Sequence, residues 1–333
     1  MKLRAWVPLA LMTTLIVALG TYAAVGQSAF LTQYNLRNLL LMTLPIALVA
    51  IGQTNALLVG GFDVSVAGLM TMCVVTASYT MQPGTSWLAL IPGALALIGV
   101  GATTGIFNAT LIWVLRLPSI IATLGTLSIL QGASLLLRDH PEGTINSDVV
   151  NALNTSVGFV PYAFIGVAVL VVLGDLWLYR TRSGLALRAV GLDATSSRRL
   201  GMGTGRIVFL AFFACSLMAS VAGFYLAAEV QIGSPVIGNQ ALESIAAAVL
   251  GGASLAGGKG SFVGTLLAAL FLSLIGNVLP LFQEPTEYAL MTIGGLILLA
   301  LVLYQAPELL ARFRASRAGA WRPRPRGGEA PAA

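Results

Sequence analysis

The chain has 333 residues, of which 57% are hydrophobic and 9% are charged, and its mean hydropathy is +0.89. Soluble proteins carry about a quarter charged residues, so this composition cannot cover a surface that faces water. At about 20 apolar residues for each membrane-spanning helix, the length leaves room for about eight to ten spans. The composition therefore excludes a soluble globular domain and predicts an all-α, polytopic membrane protein with about ten transmembrane helices.

The net charge of +6 does not indicate nucleic-acid binding, because the basic residues are dispersed among apolar runs and form no basic face interleaved with aromatic side chains. Both cysteines, Cys73 and Cys215, lie in apolar runs and are predicted to be buried apolar side chains. The only histidine, His140, lies in a polar loop without cysteine neighbours. We expect no metal site and no cofactor.

Ten apolar segments follow one another along the chain, separated by glycine, proline and charged residues. They lie at about residues 5–25, 38–59, 64–81, 88–115, 119–137, 162–180, 207–230, 239–250, 261–282 and 287–305, and the eighth is shorter than the others. The first apolar run is longer than that of a typical signal peptide, so we predict an uncleaved span. Residues 1–311 form one predicted transmembrane domain, and the basic tail 312–333 is predicted to be disordered.

The distribution of basic residues checks this map almost independently of hydropathy. With an internal N-terminus, 16 of the 18 lysines and arginines fall on the cytoplasmic side, and only Arg37 and Arg138 fall outside. An excess of basic residues in cytoplasmic loops is the usual arrangement in membrane proteins. The sequence therefore predicts cytoplasmic N- and C-termini, a basic inner loop at residues 181–206 and a long polar outer loop at residues 138–161.

Neither an ATP site nor a catalytic group is evident in the sequence. Gly258-Lys259 is followed by Gly260 rather than by Ser or Thr, and Ala253 stands where a P-loop has its first glycine. The single histidine lies outside the predicted spans, so a serine hydrolase acting inside the membrane is not supported. We therefore expect a chain that is not an enzyme and that relies on a partner for any ATP-driven step.

Two of the predicted helices are interrupted by glycine pairs at corresponding places in the two halves of the chain, a pattern typical of transporters. Backbone freed at membrane depth is tolerated only where it faces protein or a wet cavity. Two uses stay open: contact with a solute, or close helix packing and capping, including capping of the following helix by Asp63. The residues of the first break are Gly60, Gly61, Asp63 and Ser65, and those of the second are Gly251, Gly252 and Ser254.

Polar side chains inside the predicted spans are the second group of candidates for a solute pathway. They are Gln53, Asn55, Ser65, Asn108, Gln131 and Asn277. The alternative for each is a hydrogen bond between helices, which buried amides commonly form.

The basic inner loop contains a short segment, residues 193–201, with signals for both ends of a helix. Asp193 is a suitable N-cap, and Gly201 is a suitable C-terminal stop. Arg198 and Arg199 fall in the last turn, where the helix dipole favours cations. The segment is predicted to be a docking helix for a cytoplasmic partner. The alternative is a loop that only fixes the membrane topology.

Several motifs, taken together, resemble the ribose-type (monosaccharide) ABC transporter permeases of the branched-chain amino acid/ribose permease superfamily. Residues 242–266 are similar to the signature of that family, and Glu243 in this stretch joins the pathway candidates. Residues 60–66 are similar to the family's Gly-Gly-Ile-Asp-Leu-Ser-Val motif, with Phe62 and Val64 as departures. Residues 121–124 and 182–201 also match in order and spacing, so that the resemblance covers about residues 35–305.

The resemblance implies the permease subunit of a bacterial ABC importer in the inner membrane, translocating a monosaccharide or a similar small polar solute. It implies three partners: a cytoplasmic ABC ATPase that hydrolyses ATP, a periplasmic solute-binding protein, and a second permease subunit in a homodimer or a paralogous heterodimer. Outer-loop residues 139–148 would receive the binding protein. The residues that would couple to the ATPase are Asp193, Ser197, Arg198, Arg199, Leu200 and Gly201.

One departure leaves the choice of ATPase open, because Ser197-Arg198-Arg199 stands where many relatives carry smaller residues before a single arginine. The solute also has alternatives, namely nucleosides or branched-chain amino acids, which similar permeases carry. A different class of protein, an ion-coupled secondary transporter, is a further alternative. Such a transporter would work alone under an ion gradient, whereas a permease would need its ATPase.

Overall fold

The structure is a computed structural model that describes residues 3–236, 238–285, 288, 291–292 and 294–295. The predicted tenth span lies mostly outside the described residues, and the predicted tail 312–333 lies wholly outside them. The helices, in chain order, are α1 (Leu3–Gly26), α2 (Gln33–Leu58), α3 (Val66–Thr80), α4 (Trp87–Trp113), α5 (Ser119–Leu137), α6 (Ser147–Leu153), α7 (Tyr162–Arg180), α8 (Arg182–Leu192), α9 (Ala194–Arg199), α10 (Thr204–Val230), α11 (Gln240–Leu250) and α12 (Phe262–Leu281). The strands are β1 (Glu142–Thr144), β2 (Ser156–Val157), β3 (Val160–Pro161) and β4 (Ile232–Gly233).

The observed helices confirm the all-α polytopic fold and follow the predicted spans closely. Within the described part of the chain, seven helices are long and apolar enough to cross a membrane. The helices that follow the first break and precede the second, α3 and α11, have only 15 and 11 residues. At 1.5 Å per residue, α3 is about 22 Å long, which is less than the hydrocarbon thickness of about 30 Å. The predicted third span is therefore a shortened helix.

Helix α2 forms the centre of the bundle, and 72% of its most apolar stretch is buried inside the protein. It packs against α10, α11 and α12, while α10 also packs against α3 and α4. Helices α5 and α7 lie at the periphery, where only 22% and 17% of their most apolar stretches are buried. Both cysteines are free and buried in the core, as their apolar surroundings predicted.

The predicted outer loop is folded rather than extended. Strand β1 in this loop pairs antiparallel with β4, which follows α10, and β2 pairs with β3. Ile145 N donates to Gln231 O at 3.1 Å, and Asn146 N donates to Met81 O at 2.8 Å. The loop is thus fastened to the ends of α3 and α10. We call this side of the bundle the β1 end, and the opposite side, where α9 lies, the α9 end.

Both arginines that the topology placed outside are used within the β1 end. Arg138 is buried and donates from Nε to Ser78 Oγ at 2.8 Å, with its guanidinium 4.2 Å from the centre of the Tyr79 ring. Arg37 donates from Nη2 to Asn154 O at 2.5 Å. These two cations therefore hold the loop to the helices, which gives them a structural reason to depart from the general charge distribution.

Candidate functional site

The two helix breaks meet at the α9 end. Gly258 N, in the loop after α11, donates to Leu58 O at the end of α2 at 2.9 Å. Gly191, near the end of α8, lies between them so closely that a β-carbon there would overlap both Leu58 O and Gly258 N. A β-carbon on Gly257 would in turn lie 2.5 Å from Gly191 O. We call these backbone contacts among Leu58, Gly60, Gly191, Gly257 and Gly258 the glycine junction.

Each predicted glycine pair divides two tasks between its members. Gly60 and Gly252 take positive φ angles of +78° and +101°, which only glycine adopts readily, and so turn the chain. Gly61 and Gly251 instead allow close approach, since a β-carbon would lie 2.6 Å from the Phe212 ring or 2.4 Å from Thr265 N. The geometry thus favours the packing interpretation of the glycine pairs over direct solute contact.

The first break is held by a buried network of neutral polar groups and one carboxyl. The Gln53 amide, oriented by its hydrogen bonds, donates to Asp63 O at 3.0 Å and accepts from Asp63 N at 3.3 Å. Asp63 Oδ1 accepts from Ser65 N at 3.0 Å and from Ser65 Oγ at 2.5 Å. Asn108 Nδ2 donates to Ser65 Oγ at 2.7 Å, and Thr126 Oγ1 donates to Asn108 Oδ1 at 2.6 Å. We call Gln53, Asp63, Ser65, Asn108 and Thr126 the Asp63 network.

Asp63 does not cap the following helix, which was one of the uses that the sequence left open. Helix α3 begins at Val66, and its N-cap residue Ser65 makes no side-chain capping bond. The carboxyl instead closes a local turn on Ser65 N, because the short Asp side chain reaches the backbone two residues on. Its other oxygen, Oδ2, is buried without a partner among the described residues.

Helix α5 supplies two further hydroxyls to the first break that the sequence analysis did not single out. Phe62 N donates to Ser119 Oγ at 3.1 Å, and Val64 N donates to Thr123 Oγ1 at 3.1 Å. The two hydroxyls are four residues apart, so they lie on one face of the first turn of α5. That spacing is the signal that could have identified them.

The second break is held by a carboxylate from α7. Asp175 Oδ1 accepts from Phe262 N at 2.7 Å, and Asp175 Oδ2 accepts from Ser261 Oγ at 2.7 Å and from Val263 N at 3.3 Å. Ser261 Oγ also accepts from Gly264 N at 3.1 Å. The first turn of α12 is therefore capped twice, where unpaired N–H groups favour negative charge. The sequence did not indicate this role, because Asp175 and Ser261 lie 86 positions apart.

The predicted caps of α9 are confirmed. Asp193 Oδ1 accepts from Thr195 N at 2.9 Å and from Ser196 N at 3.0 Å, and Gly201 takes a φ of +79° just beyond the last turn. The hydrogen bond from the Ser196 hydroxyl, followed by those from the backbone N–H groups, lowers the pKa of Asp193 below its ordinary value. Within the segment Ser197 is buried, whereas Leu200 is 76% exposed. Arg198 and Arg199 are also exposed.

The remaining candidates separate into three environments. Asn277 and Asn35 exchange two hydrogen bonds of 3.1 and 3.0 Å in the core, so this amide joins two helices. Asn55 Nδ2 donates to Ile51 O of its own helix at 3.0 Å. Gln131 is exposed on α5. Asn35 was not among the predicted residues. The only signal for it was the amide of Asn277, which needs a hydrogen-bond partner.

The last two candidates are Ser254 in the second break and Glu243 on α11, the helix before that break. Ser254 is buried, and its hydroxyl accepts from Ala256 N at 3.2 Å. Ser254 N donates to Lys259 O at 2.9 Å, which closes the loop between α11 and α12. Glu243 lies half-buried in the first turn of α11, away from the loop.

The bundle, its two breaks and the capped short helix beside them define a polytopic helical transport protein of the permease class. The chain belongs to the family described as the permease component of branched-chain amino acid transport systems, whose model matches residues 35–301. This match nearly coincides with the region of resemblance deduced from the motifs and confirms it.

The chain is also similar to individual permeases of known name. The autoinducer 2 import system permease protein LsrC of Enterobacter sp. (strain 638) is 35% identical over 280 residues, covering 81% of this chain and 78% of the relative. The proteins of the same name from Yersinia pseudotuberculosis serotype O:3 (strain YPIII) and Yersinia pestis (strain Pestoides F) are each 34% identical over 261 residues, covering 77% of this chain and 73% of each relative. No solved structure matches the chain. The chain is therefore a multi-pass permease subunit of an ABC importer.

Proposed function

We propose that this permease translocates a small, sugar-like polar solute across the bacterial inner membrane, driven by ATP hydrolysis in a separate ATPase subunit. The names of its relatives make autoinducer 2 the first solute to test. The family description keeps branched-chain amino acids as the second candidate. The observation that carries the proposal is the continuous backbone path from α9 through α8 to both helix breaks.

This backbone path can transmit a displacement of α9, outside the membrane, to both helix breaks. Helix α9 follows α8 directly, with Asp193 ending one helix and capping the next. Two residues earlier, Gly191 touches the end of α2 and the loop after α11. Backbone contacts without intervening side chains cannot yield by rotamer changes, so a displacement of α9 moves both breaks together. Nucleotide-driven closure of the ATPase would supply that displacement and change the side to which the pathway opens.

In this proposal the α9 end is cytoplasmic, with the N- and C-termini on the same side. The excess of basic residues in the predicted inner loops supports this orientation. Segment 193–201 then docks into the ATPase through the exposed side chains of Arg198, Arg199 and Leu200. An exposed leucine in a strongly hydrophilic loop gains free energy if a protein partner covers it.

The solute pathway is assigned to the exposed side of α5, where a second permease subunit would complete it. Gln131 projects from a peripheral helix, in contrast to Gln53, Ser65 and Asn108, which belong to the buried Asp63 network. An amide facing lipid would be costly, whereas a partner subunit or a wet pathway can satisfy it. Gln131 is therefore the strongest pathway candidate, and the Asp63 network serves as the structural support of the first break.

The β1 end would receive the periplasmic binding protein. Residues 139–148 lie there on a loop that Arg138 fixes to the helices, so its surface has a defined shape. Asp139 and Glu142 are 87% and 68% exposed and offer hydrogen-bonding groups to a partner. A rigid loop supports docking because little conformational entropy is lost on binding.

Uptake into proteoliposomes tests the proposal directly. We expect labelled autoinducer 2 to accumulate only when the permease, its ATPase, its binding protein and ATP are all present. Leucine and ribose, each offered as a competitor, rank the solute classes. Uptake by the permease alone under a sodium or proton gradient would contradict the proposal and indicate a secondary transporter.

A further inference from the structure

A cavity of about 740 Å³ opens at the α9 end, between α9 and the corner that joins α4 to α5. Its walls include Gly61 of the first break, Trp113 at the end of α4, and the first residues of α5 and α10, which are Ser119 and Thr204. A cavity of this size is typical of sites for small molecules or headgroups. It is separate from the Asp63 network and from the exposed face of α5.

The cavity is lined by two arginines without counter-charges. Arg116, at the corner, has a φ of +56°, which is uncommon for a residue other than glycine and directs the chain around the cavity. Arg198 approaches from the last turn of α9. None of the described residues that line the cavity is acidic, and neither arginine takes part in an ion pair within the described part of the chain. The cavity thus has two positive charges and no acidic residue among its described lining residues.

Two helix starts add to this positive potential. Helices α5 and α10 both begin at the cavity, and neither has a side-chain hydrogen bond at its N-cap. The first N–H groups of a helix have no intrahelical acceptor and carry the positive end of the helix dipole. An anion between the two arginines would therefore also face backbone donors.

We propose that this cavity is a binding site for a phosphate-bearing anion. Guanidinium groups bind phosphate with paired N–H donors, and two of them can bind different oxygens of one phosphate group. The anion has two chemical sources: the headgroup of an anionic lipid in the adjacent leaflet, or a free phosphate compound. In either case it ties Arg198 of α9 to Arg116 of the α4–α5 corner, and its occupancy sets the position of α9 relative to the first break.

The full-length chain in nanodiscs of phosphatidylcholine tests the free source. Inorganic phosphate is titrated while tryptophan fluorescence is recorded, and the Trp113→Phe variant identifies the signal from the cavity. We expect a saturable change in fluorescence, with the midpoint raised about tenfold or more in Arg116→Gln and in Arg198→Gln. Arg199→Gln, which removes the neighbouring charge on α9 outside the cavity, is the matched control and should leave the midpoint unchanged.

Phosphatidylglycerol nanodiscs test the lipid source. If the ligand is a headgroup, native mass spectra of the released chain should show retained phosphatidylglycerol that Arg116→Gln loses, and this lipid should suppress the phosphate titration. An Arg116-dependent signal in either experiment supports the site and names its source. The absence of saturable binding in both, or binding that ignores both Arg116→Gln and Arg198→Gln, would overturn the proposal.

Discussion

The two helix breaks meet at one junction, yet the protein holds them in different ways. The first break is held by the Asp63 network and by hydroxyls from α5, so that its support comes from three helices, α2, α4 and α5. The second break is held by Asp175 at the start of α12 and by two further side chains, with Tyr179 Oη donating to Gly260 O at 2.7 Å and Arg188 Nε donating to Gly258 O at 3.4 Å. Support for the first break comes from the buried interior of the bundle, and support for the second comes from α7 and α8, which lead into α9.

This difference separates a fixed element from a movable one. Each hydrogen bond at the first break contributes about 1 kcal/mol to stability. Losing one hydroxyl or amide there therefore leaves most of the support in place. The three side chains that hold the second break lie on α7 and α8, the helices that precede α9, so they move with it. We infer that a displacement of α9 moves both breaks through the glycine junction and distorts the second break more, because the first is also anchored in the core.

Replacing Gly191 by Ala should have the largest effect, because it separates the two breaks from each other. The added methyl group would meet the backbone at Leu58 and Gly258, which cannot move away as a side chain can. We expect a loss of about 3 kcal/mol or more in the free energy of unfolding, together with loss of transport. Thermal unfolding of the purified chain in detergent measures the first effect.

Gly166→Ala on α7 is the matched control, since a β-carbon at Gly166 would meet nothing within 4 Å. It should unfold at the temperature of the unaltered protein. Equal stability of the Gly191→Ala protein and this control would show that the glycine junction is looser than the contacts indicate.

Replacing Asp175 by Ala should have the next largest effect, confined to the second break. The change removes three hydrogen bonds at the start of α12 and costs about 2 kcal/mol. Asp175→Asn should cost about half as much, because both carboxylate oxygens accept bonds and an amide keeps only one acceptor. Hydrogen exchange at Phe262 and Val263 should rise in both variants and stay unchanged at Val64; protection that persists at Phe262 would argue against the cap.

At Asp63 the same pair of substitutions should behave differently. Asp63→Ala removes the acceptor for both Ser65 donors and costs about 1–2 kcal/mol. Asp63→Asn should cost less than about 1 kcal/mol, because it keeps Oδ1 and replaces only the oxygen that has no partner. The free energy of unfolding and the rate of solute uptake, measured for both variants, test this difference. Wild-type uptake by Asp63→Ala would show that polarity at this position is dispensable.

The sequence predicted the parts of the fold that local physics determines. Hydropathy located the helices, since lipid allows few alternatives to a run of about 20 apolar residues. The caps of α9 were predictable because Asp193 and the N–H groups that donate to it are within three residues of one another. Helix starts and stops of this kind are properties of a short segment alone.

Contacts between distant segments could not be predicted in the same way. Asp175 and Gly191 looked ordinary in sequence, and their roles depend on the positions of α12 and α2. At Asp63, by contrast, a local contact decided the outcome. Its Oδ1 accepts from Ser65 N in a turn and so does not cap the following helix. Of the polar candidates, only packing distinguishes Gln53, which is fully buried, from Gln131, which is exposed.

Replacing Leu200 by Ala should have the smallest effect on stability and, with Arg199→Ala, a large effect on transport. Leu200 is 76% exposed and Arg199 is exposed too, so folding should change by less than about 0.5 kcal/mol. If α9 receives the ATPase, the double variant should still insert into the membrane. The ATPase subunit should then hydrolyse ATP without solute uptake. Leu185 on α8 is also exposed, at 50%, and the control variant Leu185→Ala should transport normally. Unchanged uptake by the double variant, with the ATPase still co-purifying, would refute the docking assignment and leave the glycine junction without a source of force.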